Sequence, residues 1–525
     1  VTDKTIASRA GLGGVAVLFA KVFFILSGLV QQALLPRFIG QAGYGALALV
    51  LAPANIVNNV VVAGSTQSAS RAVAGAPGHE LEAQRAAMRV HVPLAIAAGL
   101  AFAAAAVPIS RFEHAPHIAA PLLAMSAVVL FYGLYAPLIG VLNGRGLFVR
   151  QATLDVVFAT IRTAGLLGVG LFFVQRGLSG ALGSTLGFSC AAAIIAGVAA
   201  TMVRRSGDTT GTRSTRTPAS AILGGSRYLL VLLPLALAQL FTNALMQLDI
   251  MLLGRFLSEG AHTTGLVGDA AEKATDEWVA GYRACQLFAF LPYQLLLSLT
   301  QVLFPMLARA RVEESKDAVR DYVARGARLG AIAMGMMVAV IAGMPETAIR
   351  FAYNADIASR GAPALRVLAL GQGGFAMLGI GCTVLSSLGR ERVSAVITAC
   401  AAATAVIACA LVVPGHAFGA AQLEATAWCM AVVLAVALVV CAVVVVRVAG
   451  AFVPAATAVR VAVALVVTVA VGAHVNAMPR ALAPVVAVAL AGLYLVLLAL
   501  SREIRRADVT WVLAAIPRGR RNGTM

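Results

Sequence analysis

Apolar runs of about 20 residues follow one another from residue 11 to residue 500, separated by short basic or glycine-bearing turns. A helix of that length crosses the roughly 30 Å hydrocarbon layer of a bilayer. The alternation that marks barrel strands is absent, so helices are what satisfies the backbone in lipid. The chain therefore reads as an all-α polytopic membrane protein with about fourteen spans. They lie near 11–35, 42–64, 88–108, 118–142, 151–174, 180–203, 228–254, 278–305, 323–344, 362–387, 393–413, 423–446, 455–475 and 481–500. Composition agrees: 60% of the 525 residues are hydrophobic and 12% charged, against about 45–50% apolar in a soluble domain. The first run holds Lys21 and lacks a small-residue cleavage site, so it is expected to be retained rather than removed as a leader.

Charge gives an orientation. With the N-terminus in the cytoplasm, most of the 40 Lys and Arg fall on cytoplasmic loops and tails, including Arg204, Arg205, Arg213, Arg216, Arg309, Arg311, Arg325, Arg328 and the basic stretch after Arg502. Both termini are then cytoplasmic. The net charge of +18 reads as topology and anionic headgroups; its dispersal over many loops argues against nucleic acid.

The chain writes one turn twice. "VLNGRGLFVR" (141–150) returns as "VLSSLGRERV" (384–393), "LLPRF" (34–38) as "LLGRF" (252–256), and the openings "GY" at 43–44 and 281–282 lead to the exits "SRA" (70–72) and "ARA" (308–310). A polar insertion at 257–277, expected as an outer loop, absorbs the change in offset. Six spans separate the copies, an even number, so two six-helix lobes share one orientation as parallel repeats. The expected organisation is an N-lobe at 1–206, a linker at 207–227, a C-lobe at 228–446, two further spans at 447–501 and a basic tail at 502–525. Two such lobes around a cavity are a physical basis for alternating access.

Polar groups inside the spans indicate what that cavity faces. Gln239, Asn243 and Gln247 share one helical face, as do Gln286, Gln294 and Gln301; Asn55, Asn58 and Asn59 follow Pro53, and Gln31 and Gln32 close the first span. Amides at such positions serve either as interhelical ties or as cavity lining, and four stripes on corresponding helices favour lining. Lys21 and Arg162 sit midway through spans one and five, where a cation is costly and by default functional. Their repeat counterparts are Gln239 and Ala405, so charge is confined to the first copy and the pair is expected to form a cationic wall for an anionic substrate. Asp155 and Asp249 are either ion-coupling carboxylates for H⁺ or Na⁺ or members of salt bridges, Asp155 with Arg162 and Asp249 with Arg255 or Arg283. Pro53, Pro137, Pro234 and Pro292 permit kinks.

On "LLPRFIGQAGYGALALVLAPANIVNNVVVAGSTQSASRAVA" (34–74), its echo "AGYRACQLFAFLPYQLLLSLTQVLFPMLARA" (280–310) and the two matching turns, the chain resembles the multidrug/oligosaccharidyl-lipid/polysaccharide (MOP) flippase superfamily, in particular its polysaccharide-exporter branch. The resemblance implies a flippase moving an undecaprenyl-pyrophosphate-linked oligosaccharide across the bacterial cytoplasmic membrane for cell-surface polysaccharide synthesis. Polysaccharide polymerases or glycosyltransferases would be its partners. The cationic wall would then meet the pyrophosphate, the amides the sugars and the last two helices the polyprenyl tail. The lipid II flippase branch is the nearest alternative, although it typically carries an Arg-Asp pair where this chain has Gln31-Gln32. Drug exporters of the superfamily usually have twelve spans and a carboxylate-lined cavity.

Other classes are weaker. A polytopic glycosyltransferase or ligase needs acid–base groups in a sizeable loop, and 257–277 offers only Glu259, Asp269, Glu272, Asp276 and Glu277 without a defined pair. No P-loop is present, and "GQGG" (371–374) reads as close helix packing. The seven cysteines lie in or beside spans without CxxC spacing, and His114 and His117 have no third ligand nearby, so neither a cofactor nor a metal is expected.

Overall fold

The computed structural model describes residues 3–207, 225–294, 316–475 and 479–504. Among them no strand occurs, and the apolar runs form α1 (Asp3–Ala74), α2 (Glu80–Phe112), α3 (Ala119–Gly144), α4 (Phe148–Gln175), α5 (Gly180–Gly207), α6 (Gly225–Thr263), α7 (Asp269–Ala289), α8 (Lys316–Gly343), α9 (Pro345–Ala352), α10 (Ala355–Ser387), α11 (Glu391–Val412), α12 (Ala420–Ala449), α13 (Ala455–Ala473) and α14 (Ala483–Leu500). Twelve described stretches are long and apolar enough to cross a membrane. One of these is α1, whose 72 residues exceed a single crossing by far at about 1.5 Å per residue. It bends at Gly40, where φ is 77° and ψ 167°, a conformation essentially reserved for glycine. The spans expected at 11–35 and 42–64 are thus the two arms of α1, broken from each other at Gly40. The span expected at 278–305 is described only up to residue 294, so all fourteen expected spans meet a described helix in whole or part.

One expectation is corrected. The polar insertion at 257–277 is mostly helical: α6 continues to Thr263 and α7 begins at Asp269, leaving a short connection. Asp269 and Glu272 lie in the first turn of α7, where acidic groups complement the helix dipole.

The repeated turns share one glycine conformation. Gly146 and Gly389 both have φ of 71°, the left-handed geometry that ends a helix without a Cβ penalty. In the first, Leu147 N–H donates to Leu142 C=O at 2.9 Å, closing the cap. Arg145 beside it donates to Gln84 Oε1 at 2.7 Å and Ser206 Oγ at 3.0 Å, tying the turn to α2 and the end of α5.

The described chain divides into two compact units. The first comprises Val1–Leu287, Ala352–Ala364 and Arg390–Val433. Its helices approach through small residues, as helices in lipid must when apolar burial supplies no contrast. A Cβ on Gly140 would stand 2.5 Å from Thr66 C=O and one on Gly144 2.8 Å from Ser70 C=O, so α3 lies directly on α1. Gly187 of α5 meets the backbone of Gly165 of α4 at 2.0 Å by the same measure.

The second unit comprises Phe288–Phe351, Leu365–Gly389 and Leu434–Met525. Here α13 and α14 pack on α8: Gly472 faces the backbone of Gly343, and Tyr494 donates to Ile332 C=O at 3.2 Å. Glu503, 2% exposed, gathers α8, α13 and the end of α14, accepting from Arg328 and Thr457 at 2.7 Å and Arg460 at 2.7 Å. In "GQGG" a Cβ on Gly373 would come within 2.6 Å of Val338, a close helix contact.

Candidate functional site

Arg162 is held in the middle of α4 by aromatic faces rather than by a carboxylate. Its guanidinium lies 4.5 Å from the centroid of Phe24 on α1 and 5.9 Å from that of Phe158 one turn away. Its Nε is buried without a hydrogen-bond partner. Gly28 lies beside it, where a Cβ would make ordinary contact 3.8 Å from Arg162 Nη2. Cation–π contact lowers the cost of the charge while leaving the Nε–H donor unspent.

Asp155 does not pair with Arg162. It accepts from Tyr135 Oη at 3.4 Å, and Lys21, exposed on α1, is a cation whose field reaches it. Lys21, Asp155 and Arg162 therefore share the α1–α4 seam. Ser27 and Thr163 hydroxyls meet there at 3.0 Å, and Thr163 donates to Gln31 Oε1 at 3.4 Å.

The amides divide by role. Asn59 Nδ2 donates to Asn243 Oδ1 at 2.7 Å, tying α1 to α6, and Asn243 donates to Gln239 C=O at 2.8 Å. The two helices run antiparallel, so Asn55, one turn above Asn59, stands level with Gln247, one turn above Asn243. Asn58 Oδ1 and Gln247 Oε1 are buried with no partner. Gln32 accepts from Tyr44 Oη at 2.8 Å, and Tyr44 meets Tyr353 Oη at 3.0 Å. Gln294 is exposed in the second unit, and Gln301 lies outside the described residues.

Asp249 is fully buried and saturated with donors. Tyr282 Oη donates to Oδ2 at 2.9 Å, and Gln286 Nε2 and the backbone N–H of Ile250 donate to Oδ1, each at 2.9 Å. Arg283 reaches it only through Gln286, to whose Oε1 it donates at 3.0 Å. Arg255 turns instead to Glu259 at 2.9 Å. Neither expected direct ion pair to Asp249 forms.

Sequence reasoning missed the tyrosines. Tyr44, Tyr132, Tyr135, Tyr282 and Tyr353 supply hydroxyls or ring edges at nearly every polar node. Their shared signal, a hydroxyl inside an apolar run, is masked because tyrosine also serves as plain packing.

A helical bundle of this kind, with paired turns and polar nodes buried between helices, has the fold of a MOP-superfamily membrane transporter. The lipid II flippase MurJ in an inward closed conformation superposes with a TM-score of 0.69 at 11% identity, covering 94% of this chain and 99% of that one. An inward-facing multidrug resistance MATE transporter gives 0.60 at 15% identity over 84% and 95%. A MOP transporter from Pyrococcus furiosus whose binding pocket has reverse polarity gives 0.54 at 16% over 87% and 95%. The sequence profile of the polysaccharide biosynthesis protein family matches residues 12–311, more than half the chain, and that of the MatE family residues 270–412. The chain belongs to the polysaccharide biosynthesis protein family and is a transporter rather than an enzyme. Among curated proteins none matches it in sequence.

Proposed function

We propose that the chain flips a pyrophosphate-linked polyprenyl oligosaccharide across the bacterial cytoplasmic membrane for cell-surface polysaccharide synthesis. The observation that carries this reading is Arg162, a membrane-embedded guanidinium cradled on Phe24 and Phe158 with a buried Nε left to donate. An anionic headgroup supplies the acceptors that the protein withholds. Lys21 extends the cationic wall along α1, and the unpartnered oxygens of Asn58 and Gln247 await sugar hydroxyls. In this reading the lobes at 1–206 and 228–446 rock about the site, both termini are cytoplasmic, and polymerases or glycosyltransferases work alongside. Outward movement of an anion runs with an inside-negative potential, roughly 2.3 kcal/mol per charge at about 100 mV. Return of the empty carrier is coupled to H⁺ or Na⁺ through Asp155 or Asp249.

Native mass spectrometry of the gently extracted protein tests this, with Arg162→Ala and Lys21→Ala alongside. A polyprenyl-pyrophosphate oligosaccharide retained by the native chain and lost from both variants is the expected result, and its mass names the glycan. A lipid II mass moves the protein to peptidoglycan synthesis. Ordinary phospholipid alone, identical in all three proteins, removes the anion-wall reading and favours a drug exporter.

A further inference from the structure

The second group of buried ionisable residues lies at the opposite end of α3 from its repeated turn, the end that charge asymmetry assigns to the outside. Glu113 caps α2 and is 0% exposed, yet both carboxylate oxygens lack a hydrogen-bond partner. A carboxyl removed from water with no donor in reach is held neutral by a proton, because a bare buried charge costs far more. Burial pushes its pKa well above the usual carboxylate range, and the neighbouring charge of Asp276 adds to that.

Four residues on, His117 stands between two carboxylates of α7. Its Nδ1 is 3.2 Å from Glu272 Oε2 and its Nε2 3.0 Å from Asp276 Oδ2. Neither ring nitrogen is aligned for a hydrogen bond, so the attraction to the two carboxylates is that of an ion pair, which only the imidazolium supplies. Asp276 is itself 4% exposed; burial raises its pKa and the adjacent His117 pulls it back.

The surrounding charges are otherwise committed. On α6, Glu259 is bridged to Arg255 at 2.9 Å and lies 3.7 Å from His114, while Ser258 donates to His114 C=O at 2.9 Å. On α7, Glu277 pairs with Arg360 of α10 at 2.9 Å, and Lys273 is exposed. On α1, Gly45 presses against α7: a Cβ there would lie 1.8 Å from Asp276 C=O. Tyr44 beside it is engaged with Gln32 and Tyr353. The α2–α3 turn, from the first copy of the repeat, is thereby fastened to α6 and α7 from the second.

We propose that Glu113, His117, Glu272 and Asp276 form a proton-binding latch that holds the α2–α3 turn against α7. Protons on His117 and Glu113 close it. Their loss removes the imidazolium between Glu272 and Asp276 and places a third carboxylate charge beside them, so the contact loosens as pH rises. Closure and proton uptake are linked, each favouring the other. In the carrier proposed above, external acid would keep this end shut. The latch depends on that reading only for this consequence, and its test involves no substrate, so the two fail separately.

Amide hydrogen exchange of the full chain in lipid nanodiscs tests it, read by mass spectrometry from about pH 5.5 to about pH 9 and corrected for intrinsic rates. Protection of residues 113–118 and 269–280 is expected to fall about tenfold as pH rises, one pKa unit of linkage. In His117→Gln both segments should be weakly protected at every pH. Glu113→Gln, a neutral isostere, should keep the acid-level protection. Should the His117→Gln chain not fold, Glu272→Gln with Asp276→Asn reads the same loss with histidine in place. Flat protection in the native chain, or the native pH response persisting in His117→Gln or in Glu272→Gln with Asp276→Asn, overturns the latch. Loss of acid-level protection in Glu113→Gln overturns the neutral-acid assignment on which it stands.

Discussion

Arg162 shows how a single residue is made compatible with lipid and still available to a ligand. Its positive charge rests on two phenyl faces, a contact worth about 0.5–2 kcal/mol, and no anion in the described residues competes for it. Phe24→Leu should weaken retention of the co-purifying anionic lipid several-fold, less than Arg162→Ala, measured as lipid occupancy by native mass spectrometry. Arg162 and Lys21 were visible in the sequence as charges inside apolar runs. The aromatic cradle was not, because Phe24 and Phe158 are indistinguishable from lipid-facing phenylalanines until α1 and α4 are docked.

Glu503 makes the contrasting case, a buried carboxylate whose charge is matched. Burial alone would raise its pKa, but donors from Thr457, Arg460 and Arg328 outweigh it and hold the group below its ordinary value. The sign follows: its contribution is complete above the unfolded value, about pH 4.3, and is lost as pH falls through the depressed folded value. Glu503→Ala should destabilise the second unit by about 3–5 kcal/mol by leaving Arg328 and Arg460 without their common partner. Thermal melting in detergent at neutral pH checks this, and the gap between native and variant chains should narrow towards acid.

At the scale of elements, the glycines decide how closely helices lie. Gly187 and Gly165 bring α4 and α5 to backbone contact, so Gly187→Val should cost about 1–3 kcal/mol or more. Gly197, ten residues along the same helix, has nothing within 4 Å of its Cβ position; Gly197→Ala should be neutral or gain about 0.5–1 kcal/mol. Melting temperatures of the two variants, measured side by side, separate close approach from helix propensity. The repeated turns were legible because glycine at a helix end has a defined backbone role, and Gly146 and Gly389 share it to the degree. The break at Gly40 was legible as well, as the gap between the spans expected at 11–35 and 42–64. The helical insertion was missed: its polarity signals exposure, and loop and amphipathic helix are exposed alike.

At the scale of the whole molecule, the charge asymmetry makes a sidedness prediction. A cysteine replacing exposed His262 should react with a membrane-impermeant thiol reagent applied to intact spheroplasts, and one replacing exposed Arg85 only after the membrane is opened. The native cysteines, inside or at the edges of spans, set the background. The reverse pattern would invert the orientation and place the latch of Glu113 and His117 in the cytoplasm.

The sequence by itself determined that this chain is a membrane-spanning helical bundle, where its spans lie, and that it repeats. Those conclusions rest on constraints that act along one segment: lipid offers the backbone no partner, so an apolar run of sufficient length must hydrogen-bond within itself. Tertiary structure decided the rest. Whether Asp249 pairs with arginine or is enclosed by Tyr282, Gln286 and its own neighbour's N–H depends on how far α6 and α7 are rotated against each other. That His117 falls between Glu272 and Asp276 depends on Gly45 letting α7 approach α1. Such contacts are set by the angle and separation of whole helices, which steric fit among glycines fixes and which no periodicity within a single run encodes.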